Sequence, residues 1–378
     1  MHPNHAAGIL ACIILLTAVI TAGCITNETG GTDGTQTVTD VFGRTVIVPA
    51  NLTNVATAGS ATARFMVYVD AQNAITSVDL GETRPSRLTY EPRPFALANR
   101  QFITMPAITD AKTVLPEQLL NLSPQLLILG SESAAGMAEA DKITEKTGIP
   151  VVMIDETADL GTKRDRFDAN IHLLAKLFGK EQRADEFLTY INETIADLNR
   201  RTKDIPDSAK PTVYIGGVAY SGAHGLTYTE PNYPPFQYVN IENAAAGTDK
   251  STTLAVEIAK EKLLEWNPDI IFVDAATLRY TADLNAFESL SNDSLYSGMT
   301  AVKNNAVYTA IPYVWNGVNH ESSLANAYYV GKVLFPEQFA DIDPAKKTDE
   351  IYEHFVGKPV FAALNGFINN TGFTRYVL

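Results

Sequence analysis

PEQLLNLSPQLLILG (residues 116–130) and KEKLLEWNPDIIFVD (residues 260–274) are two copies of one pattern, aligned without gaps at a constant offset of 144 residues. In each copy a stretch that begins Glu-x-Leu-Leu from its second residue ends at a proline, and an aliphatic run follows. Proline stops a helix and favours extended backbone before it, so each copy predicts a short helix followed by a buried strand. A glutamate lies seven residues before the proline in both copies, at Glu117 and Glu261. The repeat therefore predicts two similar α/β lobes.

Further short apolar runs, separated by helical stretches, lie on both sides of the repeat. They occur at residues 54–59, 74–80, 148–155, 212–218 and 306–311. Strands that are apolar throughout and alternate with helices are typical of a parallel sheet covered on both faces. The predicted fold class is therefore α/β, with two Rossmann-like lobes.

Residues 181–203 predict one long helix between the lobes. Its apolar residues recur at helical spacing along one stripe. At 1.5 Å per residue such a helix reaches about 35 Å, which is better suited to joining two lobes than to lying inside one. The predicted organisation is an N-terminal lobe at residues 40–180, an interlobe helix at residues 181–206, and a C-terminal lobe with C-terminal helices at residues 207–378.

Composition excludes several classes of function. The chain of 378 residues has a formal net charge of -14, so we expect no nucleic-acid partner. Its two cysteines, Cys12 and Cys24, precede the lobes, which excludes disulfide scaffolds, cysteine-ligated zinc and thiol catalysis in the folded body. No Walker loop, GxSxG or HExxH motif is present, so we predict neither an enzyme nor a cofactor. A secreted α/β hydrolase with a serine near His224 or His320 is the alternative from another class.

The N-terminal residues 1–23 predict a leader. Residues 6–23 carry no charge, are mostly apolar and end in small residues directly before Cys24. This pattern resembles a lipobox, in which the cysteine becomes the lipidated first residue of the mature protein. An uncleaved anchor helix is the alternative. Residues 24–39, rich in threonine and glycine, predict a flexible tether.

Three stretches of the body point to a known family. Residues 40–49 are DVFGRTVIVP, residues 266–273 are WNPDIIFV, and residues 325–352 are ANAYYVGKVLFPEQFADIDPAKKTDEIY. In this order they resemble the class III substrate-binding proteins of ABC importers for iron complexes and cobalamin, and the third is closest to the iron-complex branch. The resemblance, which covers roughly residues 37–360, implies lobes joined by one rigid helix, with a ligand cleft between them.

The resemblance also implies a function. It implies an extracytoplasmic lipoprotein, anchored through Cys24, that captures an iron complex such as a ferric siderophore and delivers it to the permease and ATPase subunits of an importer. Cobalamin or a related corrinoid is the next ligand, followed by haem and bare oxyanions, and we expect a monomer. Carried over by position, Glu117 and Glu261 are the carboxylates that dock to arginines of the permease.

Two segments of the C-terminal lobe are candidate ligand-binding elements. Residues 214–238 hold five of the 16 tyrosines of the chain, where chance would give about one. Such a long aromatic connection after a strand is usually functional in an α/β lobe. Residues 311–320 run from the end of a strand into a helix and offer flat rings for a large chelate. The predicted contacts are Tyr220, His224, Tyr228, Tyr313 and Trp315, with His224 also a candidate metal ligand.

The N-terminal lobe offers arginines and small polar residues. Four arginines crowd into residues 84–100 of an otherwise acidic chain, and arginines at a cleft pair with the carboxylates or catecholates of an anionic chelate. Short polar segments also follow two of the predicted strands. The predicted contacts from this lobe are Ser60, Arg84, Arg87, Arg93, Ser131 and Glu132.

Overall fold

The computed structural model describes residues 34–60, 62–83, 93–111, 113–219, 224–248 and 255–377. The predicted leader and Cys24 lie outside these residues, as do Arg84, Arg87 and Tyr220. Within them, no helix combines the length and the apolar character needed to cross a membrane.

The secondary structure alternates between strands and helices along the chain. The strands are β1 Thr35–Thr39, β2 Thr45–Pro49, β3 Val55–Ala58, β4 Ile75–Ser77, β5 Thr109–Asp110, β6 Thr113–Val114, β7 Leu126–Ser131, β8 Val151–Asp155, β9 Val213–Gly216, β10 Tyr228–Thr229, β11 Val256–Glu257, β12 Ile270–Asp274 and β13 Val307–Ala310. The helices are α1 Thr62–Tyr68, α2 Leu80–Thr83, α3 Pro94–Ala98, α4 Pro116–Leu122, α5 Met137–Thr147, α6 Arg164–Phe178, α7 Glu181–Thr202, α8 Pro234–Gln237, α9 Lys260–Trp266, α10 Ala286–Asn292, α11 Thr300–Lys303, α12 His320–Leu334, α13 Pro344–Val356 and α14 Phe361–Phe367. Residues 35–39, predicted as the end of the tether, instead pair as β1 with β2.

Two parallel sheets form the centres of the lobes, as predicted. The N-terminal sheet has the strand order β4-β3-β7-β8, and the C-terminal sheet has the order β13-β12-β9. Alternate residues of β7 face different cores: Leu126 and Ile128 join one apolar cluster, while Leu127 and Leu129 join another. Both faces of the strand are thus buried, which explains its unbroken aliphatic sequence.

The repeat forms the same unit in both lobes. Helices α4 and α9 end at residues with left-handed backbone, Ser123 (φ 46°) and Asn267 (φ 42°), and a strand follows the proline in each case. After each proline, a side-chain oxygen caps the start of the neighbouring strand. Gln125 accepts the N–H of Asn54 at 2.9 Å, and Asp269 accepts that of Thr212 at 2.9 Å. Glutamine and aspartate therefore make equivalent contacts in the two copies.

Helix α7 contacts both lobes. Near its start, Arg183 donates from Nε to the carbonyl of Tyr68 in α1 at 3.1 Å. At its other end, Thr202 accepts a hydrogen bond from Asn240 at 2.8 Å, and Arg201 pairs with Asp341 at 2.7 Å. The predicted interlobe helix is therefore present. Its start contacts both lobes, since Arg183 also donates to the carbonyl of His354 in α13, and its end contacts the C-terminal lobe.

A buried polar seam also joins the lobes beside α7. Arg64 in α1 donates from Nη2 to the carbonyl of Asn316 at 3.1 Å, and Tyr68 donates to Glu321 in α12 at 2.6 Å. One apolar cluster continues across this seam, where Tyr68 and Phe187 pack against Phe355 of α13. Close packing of this kind resists large changes in the angle between the lobes.

Candidate functional site

A cavity of about 310 Å³ lies at the carboxyl ends of the N-terminal strands. This is the edge of an open α/β sheet at which ligands bind. Ser60 and Ser131, both predicted contacts, line it, and Asn316 of the C-terminal lobe closes one side. Glu132 is exposed next to Ser131 in the chain. The cavity therefore lies between the lobes and is lined mostly by the N-terminal one.

Carboxylates stand out in the wall of this cavity. Asp79, Glu139 and Glu156 all line it. Glu156 accepts the N–H of Ser60 at 2.8 Å and its hydroxyl at 3.1 Å. The sequence analysis did not select these carboxylates, although Asp79 and Glu156 follow β4 and β8 closely. The rule that ligands bind at strand ends would have found both.

The chain segment beside Asn316 carries an aromatic ring that contacts a cation. Trp315 is half-buried, and the guanidinium of Arg279 lies 4.7 Å from the centre of its ring. Such cation–π contacts fix the orientation of an indole. The backbone of the Trp315 segment is held from the opposite lobe, because Arg64 donates to the carbonyl of Asn316. Arg279 follows β12, and the sequence analysis did not select it.

Two predicted contacts lie in the protein interior instead. Tyr313 is 1% exposed, donates its hydroxyl to Glu230 and packs against Tyr233. Arg93 is 0% exposed and donates from Nη1 to both oxygens of Glu82, at 3.0 and 2.9 Å. Both side chains therefore hold interior positions in the structure, and their role as ligand contacts stays a prediction.

His224 and Tyr228 lie in a different cavity from Ser60 and Ser131. Their rings stack with centroids 3.7 Å apart and line a groove of about 870 Å³ within the C-terminal lobe. The antiparallel pairing of β10 with β11 brings Tyr228 to this side of the lobe. Among the described residues, no group of three or more His, Cys, Asp or Glu side chains is arranged to hold a metal ion.

The glutamates of the repeat occupy matching positions on the two lobes. Glu117 lies in the first turn of α4 and Glu261 in the first turn of α9, and both are exposed. Each helix precedes a central strand of its own sheet. The duplicated unit therefore places one exposed carboxylate at the same position in each lobe.

Comparison with known proteins identifies the family. A sequence profile described as periplasmic binding protein matches residues 55–313, which is more than half of the chain. The chain belongs to the periplasmic binding protein family. The relatives of this binding protein are class III solute-binding proteins of ABC importers, and they are not enzymes. The chain is therefore the extracytoplasmic substrate-binding protein of an ABC importer, which excludes the hydrolase alternative.

Individual relatives differ in the ligands that their names state. The molybdate-binding protein MolA of Haemophilus influenzae is 24% identical over 337 residues, covering 84% of this binding protein and 90% of MolA. The iron-uptake system-binding protein of Bacillus subtilis is 22% identical over 193 residues, covering 51% of this chain and 56% of that protein.

Solved structures of the family share the two-lobe fold. Molybdate-bound MolA aligns with a TM-score of 0.63 at 21% identity, covering 86% of this binding protein and 98% of MolA. A periplasmic solute-binding protein from Veillonella parvula aligns with a TM-score of 0.67 at 20% identity, covering 90% of this chain and 100% of that one. These alignments confirm the predicted fold class.

Proposed function

We propose that this binding protein captures a metal complex, with a ferric chelate first and a corrinoid or haem next, between the N-terminal cavity wall and Trp315. The observation that carries the proposal is the cavity at the strand ends, whose lining includes Asn316, the chain neighbour of Trp315. Ser60, Ser131 and Asn316 line this cavity. We propose that the half-buried ring of Trp315, next to Asn316 in the chain, supplies the apolar surface that a chelate ring needs. Arg84, Arg87, Glu132 and Tyr220 remain proposed contacts.

Molybdate is the candidate from a different class of ligand, the free oxyanions. The specific observation in its favour is the similarity to MolA over most of both chains. A tetrahedral oxyanion requires hydrogen-bond donors that converge on a small site, whereas a chelate requires a wider cleft with apolar surface. A thermal-shift panel of ferric citrate, a ferric trihydroxamate, haemin, cyanocobalamin and molybdate separates these ligand classes, because a ligand far above its Kd stabilises the fold by several kcal/mol.

Trp315 provides a direct test of the chelate site. Replacing Trp315 with alanine is expected to weaken chelate binding about tenfold, because loss of an aromatic contact costs about 1.4 kcal/mol. Isothermal titration of the wild-type protein and the variant with the ligand from the panel measures this change. Trp266→Phe is the matched control, since Trp266 packs against Tyr214 within the C-terminal lobe. Unchanged affinity in Trp315→Ala would contradict the proposed site.

We propose that Glu117 and Glu261 dock the two lobes to arginines of the permease, with the protein acting as a monomer tethered through a lipidated Cys24. Replacing both glutamates with glutamine is expected to reduce permease-dependent uptake at least tenfold, because complementary charges set register and encounter rate. Ligand affinity should stay unchanged, since neither residue lines the cavity. Glu145→Gln/Glu265→Gln, which also changes two exposed helix glutamates, is the control. Full uptake by the double docking variant would refute this role.

A further inference from the structure

Two carboxylates occupy the turn between β3 and α1. Glu156 accepts the backbone N–H of Ser60 at 2.8 Å, and an oxygen of Asp79 lies 3.5 Å from the nitrogen of Gly59. Gly59 has left-handed backbone, with φ +104°. Successive N–H groups in a turn of this kind form a concavity that binds anions in many proteins. In this chain the carboxylates of Glu156 and Asp79 occupy the position that an anion would take in such a turn.

Two glycines leave room for the carboxylate of Glu156 and for the hydroxyl of Thr62. A Cβ atom at Gly59 would lie 2.8 Å from Oε2 of Glu156, and one at Gly130 would lie 2.9 Å from the same oxygen. Both distances are shorter than van der Waals contact. Glycine at the ends of β3 and β7 therefore keeps open the space into which the Glu156 side chain extends.

The same wall is acidic where the ligand would approach. Asp79, Glu139 and Glu156 line the cavity, and none of its other described lining residues carries a basic side chain. Each carboxylate offers acceptor oxygens only. An approaching oxyanion meets repulsion, and the N–H group of Ser60 already has an acceptor.

We infer that Glu156 determines the ligand class of the cleft: its carboxylate displaces free tetrahedral oxyanions and selects complexes that present hydrogen-bond donors or positive charge. Metal-bound water or ammonia, amides and protonated amines are donors of this kind. The inference rests on the proposed function, because it narrows the metal complex to one with donor groups on the surface facing the N-terminal lobe. It also predicts that the wild-type protein has a low affinity for molybdate, despite the similarity to MolA.

The test uses two probes whose affinities change in opposite directions. Sodium molybdate and hexaamminecobalt(III) are titrated calorimetrically into the wild-type protein, Glu156→Gln and Glu156→Ser in 0.15 M salt. The serine variant frees the N–H of Ser60 and is expected to bind molybdate at least about tenfold more tightly than wild type. Both variants are expected to bind hexaamminecobalt(III) at least about tenfold more weakly, since they lack the acceptor charge.

Glu139→Gln is the matched control, because it removes a charge from the same cavity at an exposed position. Equal effects from Glu139→Gln and Glu156→Ser would overturn the assignment to Glu156. Circular dichroism verifies folding, and Glu156→Gln preserves the shape of the side chain where the serine variant fails to fold. Micromolar molybdate binding by wild type that the serine variant weakens would also overturn the inference.

Failure of the inference is distinguishable from failure of the proposed function. Tight molybdate binding by wild type overturns the inference and leaves docking through Glu117 and Glu261 intact. Opposite shifts of the two probes support the inference even where no chelate of the panel binds. That outcome would refute the proposed chelate ligand and leave the role of Glu156 supported.

Discussion

Arg93→Met is expected to lower the free energy of unfolding by about 3–5 kcal/mol, because it leaves one member of a buried ion pair without its partner. Arg93 and Glu82 are 0% and 2% exposed, and both Glu82 oxygens accept from one guanidinium nitrogen. Burial raises the pKa of Glu82, while Arg93 opposes that rise. Urea denaturation of the purified protein measures the loss.

A second substitution distinguishes a lost ion pair from a general loss of packing. Arg93→Met combined with Glu82→Met is expected to recover most of the stability, because replacing both members of a buried ion pair with apolar side chains changes the free energy of unfolding little. Arg100→Met, at an exposed position seven residues later, is the matched control and should change stability by less than about 0.5 kcal/mol. A double variant as unstable as Arg93→Met would contradict the explanation.

The wild-type protein is expected to lose stability as the pH rises from 5 to 9, and Glu230→Gln is expected to lose much less. Burial raises the pKa of Glu230 to about 8 and that of Asp274 to about 7. The folded state therefore retains protons that the unfolded chain releases near pH 4. The stability that these retained protons contribute is fully present below about pH 4 and is lost as the pH rises through the folded-state pKa values of about 7 and 8.

The difference between the two proteins isolates Glu230 from other titrating groups. At pH 9 the glutamine variant is expected to be more stable than wild type by on the order of 4 kcal/mol, since it has no charge to bury. Urea denaturation at pH 5, 7 and 9 measures both curves. Glu337→Gln, at an exposed site, is the control and should follow wild type. Parallel curves for wild type and Glu230→Gln would contradict the prediction.

Local sequence patterns were sufficient to predict the elements of this fold. Helix α4 begins and ends at residues 116 and 122, as the repeat predicts, because proline and the apolar run act within a few residues. The aliphatic run of β7 predicted a strand buried on both faces, which its two apolar clusters confirm. The lobes and their linking helix follow from the order of these elements.

The candidate site was predictable only in part. Ser60 and Ser131 follow strands of one parallel sheet, so the topology alone brings them to a shared edge. Tyr228 also follows a strand, but the pairing of β10 with β11 directs it into another cavity. Such a pairing of two-residue strands has no pattern long enough to detect in the sequence.

The sequence by itself determined the α/β class, the duplicated lobes, the interlobe helix and the exposed glutamates of the repeat, because each depends on residues close together in the chain. Only the tertiary structure decided which polar residues face the cleft. Arg93 is buried in an ion pair with Glu82. Tyr313 is buried and donates a hydrogen bond to Glu230, a residue 83 positions away. A buried charge or phenolic hydroxyl requires a hydrogen-bonding partner, and that partner is set by the fold rather than by neighbouring sequence.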